Sequence, residues 1–363
     1  MKILIVNQHP QDVIGGSEIQ CGLIASSLTK SGHEIIYFAL NGQRAHYDTD
    51  YAVIPAQPGF HDLKQTLLTH RPDVVYWRFN RRKLLESVLA CKMTGTKIVY
   101  AISSFTDLLK WSHRVNFREL PWGKRVQTVC SLPFLRHVLA MRVNYMGLHW
   151  IDGVIAQLVS QTGRLPARQE IVIPNSVADD RAPFSWPRPY IVWVGSVKKV
   201  KNPEAYLELA RHIHRNDIDF LLVGEIKGRY RDIFQKKHLP PNFHCLGVKP
   251  NAEVNGILQQ SLFVVQTSYV EGFPNVLIQA WNQGKPTISL WYDPDQLIST
   301  HQLGYVSGNF AQCVKDTQTL LDNDALRQEM GQRAQQFAHT YFDRAQNMRK
   351  LESFLREIAE ASS

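Results

Sequence analysis

A rhythm of short apolar runs with helix-length segments between them constrains this chain more than any other feature. In the first half the runs are 2–7, 34–40, 73–77, 97–102 and 153–156, and a helical pattern from Glu18 to Ser31 follows the first. Runs apolar on both faces need cover on both sides, and parallel strands need long crossovers, so the spacing predicts a doubly wound α/β sheet. A second series begins after Ile171-Val172-Ile173-Pro174-Asn175, with runs at 190–195, 220–224, 243–246, 262–266 and 286–290, and 183–189 reads as a linker. A chain of 363 residues is too long for one ordinary core. The predicted division is a Rossmann-like domain over 1–177, a second over 178–341, and a terminal segment over 342–363. In that segment Phe342, Ala345, Met348, Leu351, Leu355 and Ile358 recur at helical spacing, which predicts an amphipathic helix.

Composition excludes several classes. No apolar run approaches the ~18 to 20 residues that cross a bilayer, and the apolar start at Ile3 to Val6 is too short for a signal peptide, so a cytoplasmic protein is expected. The cysteines Cys21, Cys91, Cys130, Cys245 and Cys313 are odd in number and scattered, which argues against a disulfide framework and a zinc site. Net charge is +9, and 71–150 holds fourteen Lys and Arg against four Asp and Glu, so the surplus is local. Aromatics interleave with it in 77–83 and 110–118, including Trp77, Phe79, Trp111 and Phe117, a mixture that suits anionic headgroups. No nucleic-acid reading module accompanies the charge.

Three stretches carry chemistry. The first strand leads through a long loop to Gly15-Gly16, which lets the backbone turn through positive φ or approach a phosphate or sugar closely. Its adjacent glycines do not form the Gly-x-Gly-x-x-Gly fingerprint of a nicotinamide site. In sheets of this kind ligands bind beyond the carboxyl ends of the strands, which also nominates Arg78, Ser103, Ser104 and Gln157.

The second stretch runs from Val194 to Pro203 as a strand, a cationic loop and a helix, with Asn202 as the expected N-cap and Pro203 at the first helical position. A lysine there can neutralise the charge growing on a diphosphate leaving group, and Lys201 is chosen over Lys198 and Lys199 because it directly precedes the helix start.

The third stretch runs from Tyr269 to Trp281. Pro274 suits the first helical position, so the amides of Asn275, Val276 and Leu277 are expected to point toward an anion, with Glu271 just before them and Gln279 about two turns on. A nucleoside-diphosphate sugar fits that arrangement.

In this order, Gly15-Gly16-Ser17-Glu18, Ile173-Pro174-Asn175, Val194-Gly195 through Lys201-Asn202-Pro203, and Glu271-Gly272-Phe273-Pro274-Asn275 with Gln279-Ala280-Trp281 resemble glycosyltransferase family 4. The resemblance covers nearly the whole chain, and its polysaccharide-building members are similar through the Gln-Ala-Trp segment. It implies a retaining sugar transferase of the α/β GT-B fold, with two Rossmann-like domains facing across a cleft and a C-terminal helix crossing back to the first. Implied catalytic residues are Glu271 and Lys201. Implied donor-binding residues are Gly15, Gly16, Ser196, Lys201, Glu271, Gly272, Phe273, Pro274, Asn275, Val276 and Gln279, with Glu271 on the sugar, Gln279 on ribose and Lys201 on the diphosphate. Arg78, Ser103 and Ser104 fall on the acceptor side, and no metal or other cofactor is implied.

The chain departs from the family pattern at Gln279 (usually glutamate), Ser196 (usually arginine) and Ser103-Ser104 (commonly histidine), each removing a charge or a donor. The expected partners are a nucleotide sugar, a saccharide or lipid-linked acceptor and an anionic membrane surface through 71–150, with no nucleic acid. A nucleotide-sugar isomerase or epimerase, or a non-catalytic nucleotide-sugar binder, is the rival reading.

Overall fold

In a computed structural model, which describes residues 1–109 and 131–361, contacts divide the chain into Met1–Pro174 with Ala345–Ser363, and Asn175–Arg344. Helices of eight residues or more are numbered. The first unit contains β1 (Lys2–Asn7), α1 (Gly16–Lys30), β2 (Glu34–Leu40), β3 (Ala52–Ala56), α2 (Phe60–His70), β4 (Val74–Trp77), α3 (Leu84–Thr94), β5 (Lys97–Ala101), α4 (Leu132–Met146), β6 (Gly153–Ala156) and β7 (Glu170–Val172). Its sheet is parallel throughout, in the order β3-β2-β1-β4-β5-β6-β7.

The second unit contains β8 (Tyr190–Val194), α5 (Pro203–His212), β9 (Asp219–Val223), β10 (Phe243–Gly247), α6 (Asn251–Gln260), β11 (Val264–Gln266), α7 (Asn275–Asn282), β12 (Thr287–Ser289), β13 (Gly304–Val306), α8 (Phe310–Asp322) and α9 (Asp324–Tyr341). Its order is β10-β9-β8-β11-β12-β13, again all parallel. The last helix, α10 (Arg344–Glu360), belongs to the first unit.

Strand alternation builds two core layers in the first unit. Ile3 and Ile5 pack with α1 and with Leu351, Phe354, Leu355 and Ile358 of α10, while Leu4 and Val6 face the opposite layer with Leu84, Val88 and Leu148. At Gly153 of β6 a Cβ would stand 2.9 Å from Phe354 Cζ, so the missing side chain makes room for α10.

Phe342 departs from the predicted pattern. It closes α9 and buries its ring in the second unit against Phe273 and Trp281, so the amphipathic helix starts later than predicted. The segment 183–189 has no regular structure, yet Phe184 packs beside Trp186, whose Nε1–H donates to Asp219 Oδ2 (2.8 Å), so it is seated on the second unit.

Strands β3, β7 and β13, which the apolar runs do not predict, all lie at sheet edges. Short edge strands carry weak patterning, and β3 contains Pro55, which edges tolerate.

The basic window also differs from expectation. Trp77 is buried in the core, Phe79 is half-buried against it, and Arg81 is 2% exposed, donating from Nη2 to the carbonyls of Thr106 and Leu109. Trp111 and Phe117 lie outside the described residues. Cys21, Cys91, Cys245 and Cys313 are free thiols, and Cys130 also lies outside the described residues.

Candidate functional site

In each sheet one strand is flanked by two neighbours reached in opposite directions, which opens a crevice at the carboxyl ends. That strand is β1 in the first unit, between β2 and β4, and β8 in the second, between β9 and β11. Arg78 follows β4 beside the first place and Lys201 and Glu271 follow β8 and β11 at the second, whereas Ser103, Ser104 and Gln157 follow β5 and β6 farther along the first sheet.

In the second unit three hydrogen bonds join β8 and the loop after it to the loop after β11. Trp193 Nε1–H donates to Thr267 Oγ1 (2.9 Å), Thr267 Oγ1–H donates to the Lys201 carbonyl (2.8 Å), and the Tyr269 amide donates to the Val200 carbonyl (3.0 Å). This stitching brings Lys201 Nζ into an ion pair with Glu271 Oε1, although the two residues are far apart in sequence. Ser268 Oγ–H donates to the same carboxylate oxygen (2.7 Å). Both ion-pair side chains are mostly buried, where a pair interacts more strongly than at an open surface. Lys198, Val200 and Ser196 are exposed.

Close approach of neighbouring loops also needs Gly224, after β9. Its φ is +153°, and a Cβ there would lie 1.8 Å from the Gly195 carbonyl oxygen.

Helix α5 starts at Pro203 as predicted. Asn202 is its N-cap by position but adopts the left-handed region (φ 48°) and makes no side-chain cap bond. Helix α7 starts at Asn275, so Pro274 is the N-cap and not the first helical residue. The Leu277 amide donates to the Pro274 carbonyl (3.0 Å), so it is engaged within the helix and not directed at an anion as predicted. Asn175 Nδ2–H donates to Asn275 Oδ1 (2.8 Å), and Tyr292 Oη–H donates to the Gly272 carbonyl (2.7 Å). Phe273 is buried against Trp281 and Phe342, so its ring anchors the loop from within the core.

Gln279 is 6% exposed and faces α6. Its Nε2 hydrogens go to Asn251 Oδ1 (2.9 Å) and Asn255 Oδ1 (2.8 Å), so both amide donors are engaged inside the second unit.

In the first unit Gly15 is the N-cap of α1 with φ −150°, and neither Gly15 nor Gly16 has positive φ. The positive-φ turn reading of this pair is therefore not met, and a Cβ at Gly15 would meet only the flexible end of the Glu18 side chain, Oε2 at 2.2 Å. Arg78 is 4% exposed after β4, with Nη1–H donating to Tyr76 Oη (3.1 Å) and the Glu18 carboxylate among the groups acting on its charge. Both serines after β5 serve Asp107. The amides of Ser103 and Ser104 and the Ser103 hydroxyl donate to Asp107 Oδ2, each at 2.9 Å. Gln157 is buried, donating from Nε2 to the Ile102 carbonyl (2.5 Å).

Ser268, Thr267, Tyr292, Asn251 and Asn255 support the predicted residues and escape sequence reading, since single polar residues near strand ends carry no periodic signal. Tyr269 and Trp291 add an exposed aromatic pair beside Glu271, their rings 6.2 Å apart and 24° from parallel. Among the described residues no group of three His, Cys, Asp or Glu side chains could hold a metal ion, and no helix is long and apolar enough to cross a membrane.

Two parallel, doubly wound units with a final helix that belongs to the first define the chain as a GT-B fold. Residues 178–337 match the family model described as Glycosyl transferases group 1. The chain is 21% identical to the amylovoran biosynthesis glycosyltransferase AmsD of Erwinia amylovora over 286 residues, 76% of this chain and 77% of that protein. A sucrose-phosphate synthase from Thermosynechococcus elongatus superposes with a TM-score of 0.77 at 15% identity, covering 99% of this chain and 100% of that one. HepE from Anabaena, solved in complex with UDP and glucose, superposes with a TM-score of 0.69 at 16% identity, covering 98% and 100%.

Proposed function

We propose that the chain is a retaining glycosyltransferase, moving a hexose-type sugar from a nucleoside diphosphate to a hydroxyl of a saccharide or lipid-linked acceptor in surface polysaccharide or glycoconjugate synthesis. The observation that carries this reading is the Lys201–Glu271 pair, steadied by Ser268, at the β8/β11 crevice beside the head of α7. The Glycosyl transferases group 1 match over the same unit supports it, as do AmsD, a biosynthesis glycosyltransferase by name, and HepE, which holds UDP and glucose.

Glu271 accepts hydrogen bonds from sugar hydroxyls, and Lys201 shifts its ammonium from Glu271 toward the diphosphate as negative charge grows there. The amides at the head of α7 add a fixed positive field. The bond from the anomeric carbon to the diphosphate oxygen breaks, the acceptor oxygen bonds to that carbon on the same face, and the acceptor proton passes to the departing diphosphate. Lysine and backbone amides do the electrostatic work, so a divalent ion is not required, and activity is expected to survive a chelator. The protein works on the cytoplasmic face of the membrane, at an anionic lipid surface.

Incubation with a panel of nucleotide sugars tests the reading. Diphosphate release that depends on acceptor is expected, product without acceptor would make it an isomerase, and binding alone would make it a sensor. Lys201→Ala is expected to lower turnover by about 10²-fold or more, whereas near-wild-type turnover removes Lys201 from the site.

A further inference from the structure

We infer that α4 is the element that contacts the membrane, lying in the plane of an anionic lipid surface with one apolar stripe immersed. This deepens the membrane-surface part of the proposed function and rests on it.

Leu132, Leu135, Leu139, Val143 and Met146 recur every three or four residues along α4, and each is between 37% and 64% exposed. At about 100° per residue they fall within an arc of about 80°. The opposite face is docked on the first unit. Phe134, Val138 and Met141 are half-buried, Tyr145 is buried beneath the Arg81 guanidinium (5.2 Å from the ring centre), and Asn144 Oδ1 accepts from the Leu85 amide (3.4 Å). The stripe therefore faces outward because the other side of the helix is already packed. Neighbouring α3 exposes Leu89 and Met93 as well.

Charge selects the occupant. The helix carries no Asp or Glu, and on the same geometry Arg136 borders the stripe on one side and Arg142 on the other, about 60° from its centre. Both are exposed and sit within the window that holds the local basic surplus. An apolar stripe edged by arginines suits acyl chains bordered by anionic headgroups, because arginine stems lie along the apolar boundary while the guanidinium reaches phosphate. Arg81, whose charge is buried, is not part of this contact.

The test is sedimentation of the full chain with vesicles of phosphatidylglycerol and phosphatidylethanolamine in equal parts, comparing wild type with Leu135→Glu/Leu139→Glu. Wild-type binding is expected, with partitioning of the double variant weaker by about tenfold or more, an unchanged melting temperature and unchanged transfer to a soluble acceptor. If wild type does not bind, both the membrane reading and this inference fall. If both proteins bind equally, the membrane reading survives and α4 is not the contact. If wild type is a dimer by light scattering, the variant a monomer, and neither binds vesicles, the stripe joins two copies and the inference is overturned.

Discussion

Asn255 cannot turn its amide over without losing two bonds, since its Nδ2 donates to the carbonyls of Ala178 (2.9 Å) and Asp180 (2.8 Å). Its Oδ1 must therefore face Gln279, and only a donor is accommodated opposite it. This explains glutamine at a position where the resembled family usually has glutamate. Gln279→Glu sets a carboxylate against that oxygen and is expected to lower stability by about 1–3 kcal/mol, read as a lower denaturation midpoint. An unchanged midpoint would show that the asparagines rearrange freely.

His9 supplies a second residue-scale prediction. It is buried among Tyr37, Tyr47 and Tyr51, its Nδ1 accepts from the Gln11 amide (3.2 Å), and burial foremost lowers its pKa to about 4 against the opposing pull of Asp12. A lowered folded pKa means that the unfolded chain binds the proton first, so His9 contributes stability above about pH 6.5. That contribution declines as pH falls toward about 4. His9→Asn keeps an acceptor for Gln11 but does not titrate. Its melting temperature is expected to drop less than wild type between about pH 7 and pH 5; parallel drops would acquit His9.

Among the elements, the loops after β8, β9 and β11 act as one assembly. The bonds from Thr267 to Lys201 and from Tyr269 to Val200 position the ion pair, and Gly224 lets the neighbouring loop pass close to Gly195. Gly224→Ala pushes a methyl into a backbone oxygen that has no side-chain freedom to yield. A destabilisation of about 3 kcal/mol or more is expected, together with weaker binding of a nucleoside diphosphate by titration calorimetry. Wild-type affinity in that variant would show that the β8 loop is not needed for binding.

For the molecule as a whole, the chain end completes a core begun at the first strand. Leu351, Phe354, Leu355 and Ile358 bury against the layer containing Ile3 and Ile5. Each contributes about 1.5–3 kcal/mol, and together they rival the about 5–15 kcal/mol that holds a typical domain folded. A chain ending at Asp343 is expected to lose cooperative unfolding of the first unit in calorimetry; a retained transition would show that the sheet stands without α10.

The two series of strands, their parallel class, the terminal amphipathic helix and the Lys201 and Glu271 positions were legible in the sequence, because periodicity and strand-end placement are local properties of the chain. The edge strands β3, β7 and β13 were not, since a strand of this kind acquires its role from the neighbour it pairs with. Tertiary structure alone decided that Trp77 and Arg81 turn inward, that Phe342 joins the second unit, and that Ser103 and Ser104 serve Asp107. It also decided that Lys201 meets Glu271 and that Gln279 faces two asparagines. Residue type records what a side chain can donate, accept or bury, but its partner is chosen by backbone brought alongside from elsewhere in the chain.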